Sequence, residues 1–210
     1  MAVPPLLFVF LGSIRFVDRS LLRSLSSEDG FFEWVQAAAF LVAAVSSLLS
    51  ARLLLRRART LPAALFALLG LALVFALGEE LAWGQRILGF STPGSLAEMN
   101  EKQEVSLHNI ESVTQWFTLA KIVIGLYGGL GAFALHWLRR RRSVDAIELF
   151  VVPTFLVSPF LIVMGMRLLR LTLLRHTVPM GYSELEELWL AIGMAAFAVH
   201  VIHRLRREEP

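Results

Sequence analysis

Residues 60–80 read TLPAALFALLGLALVFALGEE, with no charged side chain between Leu61 and Gly78. At a rise of about 1.5 Å per residue, that uncharged run covers roughly 27 Å, close to the thickness of bilayer hydrocarbon. Thr60 offers a cap to the first turn, and Pro62 sits where its missing N–H is least costly. The stretch predicts a transmembrane helix, and it sets the scale for reading the rest of the chain.

Working outward, further apolar blocks of similar length follow. The expected spans are 3–17, 31–55, 61–88, 113–138, 144–174 and 183–203, with an outer loop over 89–112. The first is short for a span, so the count is five to six. After it, Arg15, Arg19 and Arg23 recur every four residues on one helical stripe, as in an interfacial amphipathic helix. Pro153 and Pro159 should kink or open the block at 144–174. Ser183 with Glu186, and Ser95 with Glu98, have capping-box spacing; the second pair predicts a short interfacial helix over 96–104. The expected fold class is all-α, a polytopic transmembrane helix bundle forming a single domain over 1–210.

Composition agrees. Hydrophobic residues make up 56% of the 210 and charged residues only 18%, against about 45–50% and about 25% in soluble domains. The net charge of +3 comes from arginine clusters flanking apolar blocks, which excludes nucleic acid as the partner and points to membrane lipid. A homo-oligomer or another membrane protein is the other partner class expected. There is no cysteine, which removes disulfides, thiolate nucleophiles and iron–sulfur clusters.

Arg56, Arg57 and Arg59, then Arg139 to Arg142, then Arg204 to Arg207 fall on one side when the longer blocks alternate. The positive-inside rule makes that side cytoplasmic, so the C-terminus is cytoplasmic and the protein multi-pass in a cell (inner) membrane. Arg15, Arg19, Arg23, Arg167, Arg170 and Arg175 run against the rule. Most acids, including Glu33, Glu98, Glu111, Glu184, Glu186 and Glu187, then gather at the outer face.

The most informative segment is Gly78-Glu79-Glu80-Leu81-Ala82-Trp83-Gly84-Gln85-Arg86, followed by a loop and Leu107-His108-Asn109. Two carboxylates at a helix C-terminus face its partial negative charge and need an offset. Arg86, Lys102, Arg167, Arg170, His108 or a bound cation are the candidates. Acids at the edge of hydrocarbon are costly and usually placed for use. On a continuous helix, Glu79, Trp83 and Arg86 share a face. Glu79, Glu80 and His108 are therefore the expected catalytic residues, with Glu80 and His108 as candidate ligands of a divalent metal ion. Glu33, Trp83, Gln85, Arg86, Asn100, Glu104 and Asn109 are expected to bind ligand beside them, and Arg167 and Arg170 to hold a lipid phosphate or neutralise the acids. Trp83 alone reads equally as an interfacial anchor. His200 and His203 have metal-ligand spacing but read as interfacial packing. Lys121 either snorkels or pairs with an acid. Gly125 and Gly129 form a GxxxG pattern that predicts close helix packing.

These motifs, with Glu28-Asp29-Gly30 and Glu33-Trp34 before them, resemble a family of polytopic bacterial inner-membrane proteins. The likeness covers mainly residues 28–111 and more weakly 183–187. It implies that these residues act together and brings no activity with it. Ala82 stands where that family usually has serine, which sets aside a hydroxyl role there. No HExxH, GxSxG, Walker or Rossmann pattern occurs. Three functions stay open: a membrane-embedded enzyme acting on a lipid or lipid-linked substrate, a cation- or proton-coupled transporter or channel, and a non-catalytic membrane-complex subunit.

Overall fold

The structure, a computed structural model, describes residues 3–27, 30–100, 102–139, 148–172 and 181–208. Glu28, Asp29, Arg140 to Arg142 and Arg175 lie outside the described residues. The chain is helical, with no strand among the described residues. In chain order the helices are α1 (Val3–Val17), α2 (Arg19–Leu25), α3 (Phe31–Arg56), α4 (Thr60–Glu80), α5 (Gln85–Leu88), α6 (Gly94–Met99), α7 (Glu111–Arg139), α8 (Val157–Thr172) and α9 (Gly181–Arg207).

Among the described residues, four segments are long and apolar enough to cross a membrane: Phe31–Arg56, Thr60–Glu80, Thr154–Thr172 and Tyr182–Arg207. The protein is therefore built as a membrane-embedded helical protein. Helix α1 has 15 residues, below the roughly 20 that a perpendicular span needs. The amphipathic segment after it is present as α2, which Asp18 caps by accepting the N–H groups of Ser20 and Leu21.

Several boundaries differ from expectation for local reasons. α4 ends at Glu80 and does not run to 88, because Ala82, Trp83 and Gly84 all take positive φ (45°, 53° and 89°). For Ala82 and Trp83 that conformation costs roughly 1–2 kcal/mol each. Thr60 lies inside α4, and the cap position falls to Arg59, which makes no side-chain capping bond. α6 covers Gly94–Met99 with Pro93 before it, so the Ser95–Glu98 capping box does not form. Asn100 closes that helix early: its Oδ1 accepts the backbone N–H groups of Lys102 and Glu104, a local turn that competes with helix. Ser183 falls within the first turn of α9, not before it. In the block at 144–174, Pro153 precedes a 3-10 turn at Thr154–Leu156, and Pro159 sits in the first turn of α8. The prolines open that segment and set where its helix begins.

The chain divides into two compact units, Met1–Glu33 with Ala120–Gly193, and Trp34–Leu119 with Met194–Pro210. The first is held by glycines and charges. A Cβ built on Gly125 would stand 3.1 Å from Met164, and one on Gly128 would stand 2.3 Å from the Phe160 ring. One on Gly129, the second glycine of the GxxxG pattern, would stand 2.6 Å from Leu161, so only glycine lets α7 and α8 approach this closely, as that pattern predicts. Tyr182 donates to the carbonyl of Gly12 at 2.9 Å, tying α1 to α9. In the second unit, Ala43, Ala44, Leu73 and Ala198 form a buried apolar cluster, with Phe40, Leu69 and Met194 packed on it.

Candidate functional site

In the second unit the end of α4 folds onto the loop that follows it. Glu79 is 4% exposed. Its Oε1 accepts the indole N–H of Trp83 at 2.8 Å. Its Oε2 accepts the backbone N–H of Leu107 at 2.7 Å and of His108 at 2.9 Å. His108 Nδ1 stands 3.2 Å from that same oxygen. These donors replace the water that a carboxylate in the last turn of a helix would otherwise need, and they oppose the partial negative charge of the helix end. The offset thus comes from amides, an indole and an imidazole.

The left-handed turn at Ala82–Gly84 makes this clasp. It swings Trp83 back so that its ring lies over Gly78, where a Cβ would meet the ring at 3.0 Å, and against Phe75 with ring centroids 5.6 Å apart. Trp83 and Glu79 do meet, but through the turn and not along one helical face. Arg86 likewise leaves that face and pairs with Glu104 at 3.0 Å.

The remaining motif residues form the body of the loop. Gln85 donates to Thr92 Oγ1 and accepts the backbone N–H of Val105, both at 2.8 Å. Asn100 is buried and donates to the carbonyl of Ser106 at 2.6 Å. Asn109 donates to Glu104 and to Ser106 Oγ. An isolated antiparallel bridge joins Asn100 and Ile110. Gln85, Arg86, Asn100, Glu104 and Asn109 thus hold one another and the backbone between them.

His108 is the member of this group with capacity to spare. Its ring packs edge-on against Phe117, with centroids 6.0 Å apart, and its side chain is 28% exposed. With Nδ1 turned to Glu79, Nε2 has no partner among the described residues. Since an ionised carboxylate only accepts, a hydrogen bond between the two would be donated by Nδ1. This is the geometry in which a carboxylate orients an imidazole for proton transfer.

Glu80 accepts a hydrogen bond from Gln36 of α3. Gln36 is buried, one turn after the buried Glu33, and sequence reading passed over it; its signal was a lone amide in an otherwise apolar run. Ser106 was missed as well, since a small polar residue in a loop carries no pattern. As a metal site the arrangement does not fit. Among the described residues no group of three or more His, Asp or Glu side chains converges to hold an ion, and the Glu79 oxygen beside His108 is already taken by two amides.

Arg167 and Arg170 belong to the first unit, and there they bind acids. Arg167 Nε lies 2.8 Å from Glu186 and its Nη2 3.3 Å from Glu187. Arg170 reaches the other oxygen of Glu186 at 3.2 Å. Lys121 pairs with Glu187, the second of its two expected fates. Glu186 is wholly buried between its two arginines. No family model matches the chain, and no curated protein or solved structure matches it.

Proposed function

We propose that this chain is a multi-pass protein of a bacterial inner membrane, with α7 and α1 adding a fifth and a sixth span, its C-terminus cytoplasmic and α6 lying in the outer interface. In this reading the end of α4 and the loop after it form an acid–base site at the periplasmic face, and the protein is a membrane-embedded enzyme acting on a lipid or lipid-linked substrate. The observation that carries the reading is the Glu79–His108 pair, with Nδ1 held and Nε2 open. His108 takes a proton from, or gives one to, the polar group of the substrate. Glu79 positions the ring and balances the charge that the ring gains. Trp83 and the amides of Leu107 and His108 fix Glu79 in turn. The family resemblance supports the grouping of these residues.

The test is substitution in a strain lacking the gene. His108→Gln, which keeps an amide donor for Glu79, is expected to leave the protein folded and in normal amount in the membrane, to abolish complementation, and to let one lipid or lipid-linked species accumulate. Full complementation by His108→Gln would overturn the enzyme reading.

A second reading, a cation- or proton-coupled transporter, has its own support. Lys121, Arg167, Arg170, Glu186 and Glu187 form an ion cluster on three long helices, and charges inside membrane segments commonly mark ion pathways. Loss of complementation with Lys121→Met, while His108→Gln stays functional, would decide for it. Function kept in both variants would leave the non-catalytic subunit.

A further inference from the structure

The loop between α4 and α7 is built inside out for a segment surrounded by water. Four of its polar side chains turn inward: Arg86 and Glu104 keep only 11% and 14% of their side-chain surface, and Asn100 and Ser106 are buried. Its large apolar side chains turn outward. Leu88 is 76% exposed and Ile87 61%, and Phe90 and Met99 are also exposed. A loop facing water shows the reverse distribution, because apolar surface left in water is unfavourable and polar groups there need no protein partner.

We infer that Ile87, Leu88, Phe90 and Met99 seat this loop in the acyl chains of the outer leaflet, so that residues 85–99 form a lipid-embedded shelf. Three further observations identify lipid as the occupant. First, the outward apolar face of α4, with Leu61, Leu65, Leu68, Leu71 and Phe75 exposed, belongs to a segment long and apolar enough to cross a membrane, and the exposed Trp83 that packs on Phe75 stands four residues before Ile87 in the chain. Second, irregular backbone tolerates membrane depth only where its polar groups are satisfied. Within the shelf the N–H groups of Gly89, Leu96 and Ala97 are bonded to the carbonyls of Gln85 and Pro93, and where the chain leaves it side chains accept the N–H groups of Lys102, Glu104, Val105, Leu107 and His108. Third, the patch has a polar rim, with Ser95, Glu98, Lys102 and Gln103 exposed, as an element lying at the interface requires. The inference rests on the membrane-embedded architecture and is independent of any chemistry at His108.

The absence of cysteine makes the test clean. Full-length single-cysteine variants Leu88→Cys, Phe90→Cys and Glu98→Cys are labelled with bimane in detergent and reconstituted into phosphatidylcholine vesicles with brominated acyl chains. The label on Leu88→Cys and Phe90→Cys is expected to lose most of its emission, and that on Glu98→Cys to keep it. In parallel, unlabelled Leu88→Cys in native membranes is expected to resist a membrane-impermeant maleimide that modifies Glu98→Cys. Modification of Leu88→Cys and Phe90→Cys as readily as Glu98→Cys would place the patch in water and overturn the inference. Resistance to maleimide without bromolipid quenching would also overturn it, by assigning the patch to a second copy or a protein partner. Two independent apolar positions guard against one variant failing to fold.

Discussion

Among single residues, Glu79 carries the most contacts that matter. It is a carboxylate at the wrong end of a helix dipole, buried, and held by an indole, two amides and an imidazole. Oε1 takes only the indole, so removing that donor leaves a buried carboxylate oxygen without a protein partner among the described residues, and hydrogen bonds to charged groups contribute about 1.5–3 kcal/mol. Trp83→Phe keeps the ring over Gly78 and removes only the indole N–H. It is expected to lower stability by about 1–3 kcal/mol, measured by denaturant unfolding in detergent. An unchanged midpoint would mean that the Trp83–Glu79 bond contributes nothing. The sequence pointed to Glu79, His108 and Trp83 as a group, because acids at the edge of a hydrophobic run are unusual. It did not show how they meet. That depends on three consecutive positive φ values at Ala82, Trp83 and Gly84, and only Gly84 advertises such a conformation. Gln36 went unseen because its partner, Glu80, lies 44 residues away.

For whole elements, periodicity and glycine spacing were the reliable signals, and boundaries the unreliable ones. The cores of α3, α4, α7 and α9 follow directly from uncharged runs. The ends of α4 and α6 and the start of α8 were set by local competitors: a left-handed turn, the Asn100 side chain and the two prolines. Capping-box spacing failed at Ser95, where the chain enters the helix from Pro93, two residues too early for the serine to cap. The packing of α7 on α8 gives a sharp contrast among its glycines. Gly128→Ala would push a methyl group into the Phe160 ring and is expected to destabilise by about 1–3 kcal/mol. Gly131 has nothing within 4 Å of a Cβ, so Gly131→Ala should be neutral or stabilise by up to about 1 kcal/mol through helix propensity. Thermal unfolding of the two variants side by side checks this, and equal effects would contradict the packing described for α7 and α8.

Taken as a whole molecule, the chain announces its environment in its composition, because no soluble core needs this many uncharged runs of spanning length. Its chemistry is far less visible there. The site consists of a helix end and a loop joined by hydrogen bonds across 28 or 29 residues, so it exists only once the unit has folded. Arg86, expected to bind ligand, pairs with Glu104, and Arg167 and Arg170, expected to hold a phosphate or neutralise acids, pair with Glu186. Sequence supplies the number of charges but not their pairing. Within the loop site, Nε2 of His108 is a nitrogen without a partner among the described residues. The most direct measurement is the ¹⁵N resonance pattern of His108 in histidine-labelled protein in bilayers, for the native chain and for Glu79→Gln. The native ring is expected to carry its proton on Nδ1 and to lose that preference when Glu79 is replaced. A native ring protonated on Nε2 alone, or a pattern indifferent to Glu79→Gln, would contradict the oriented imidazole on which the proposed function stands.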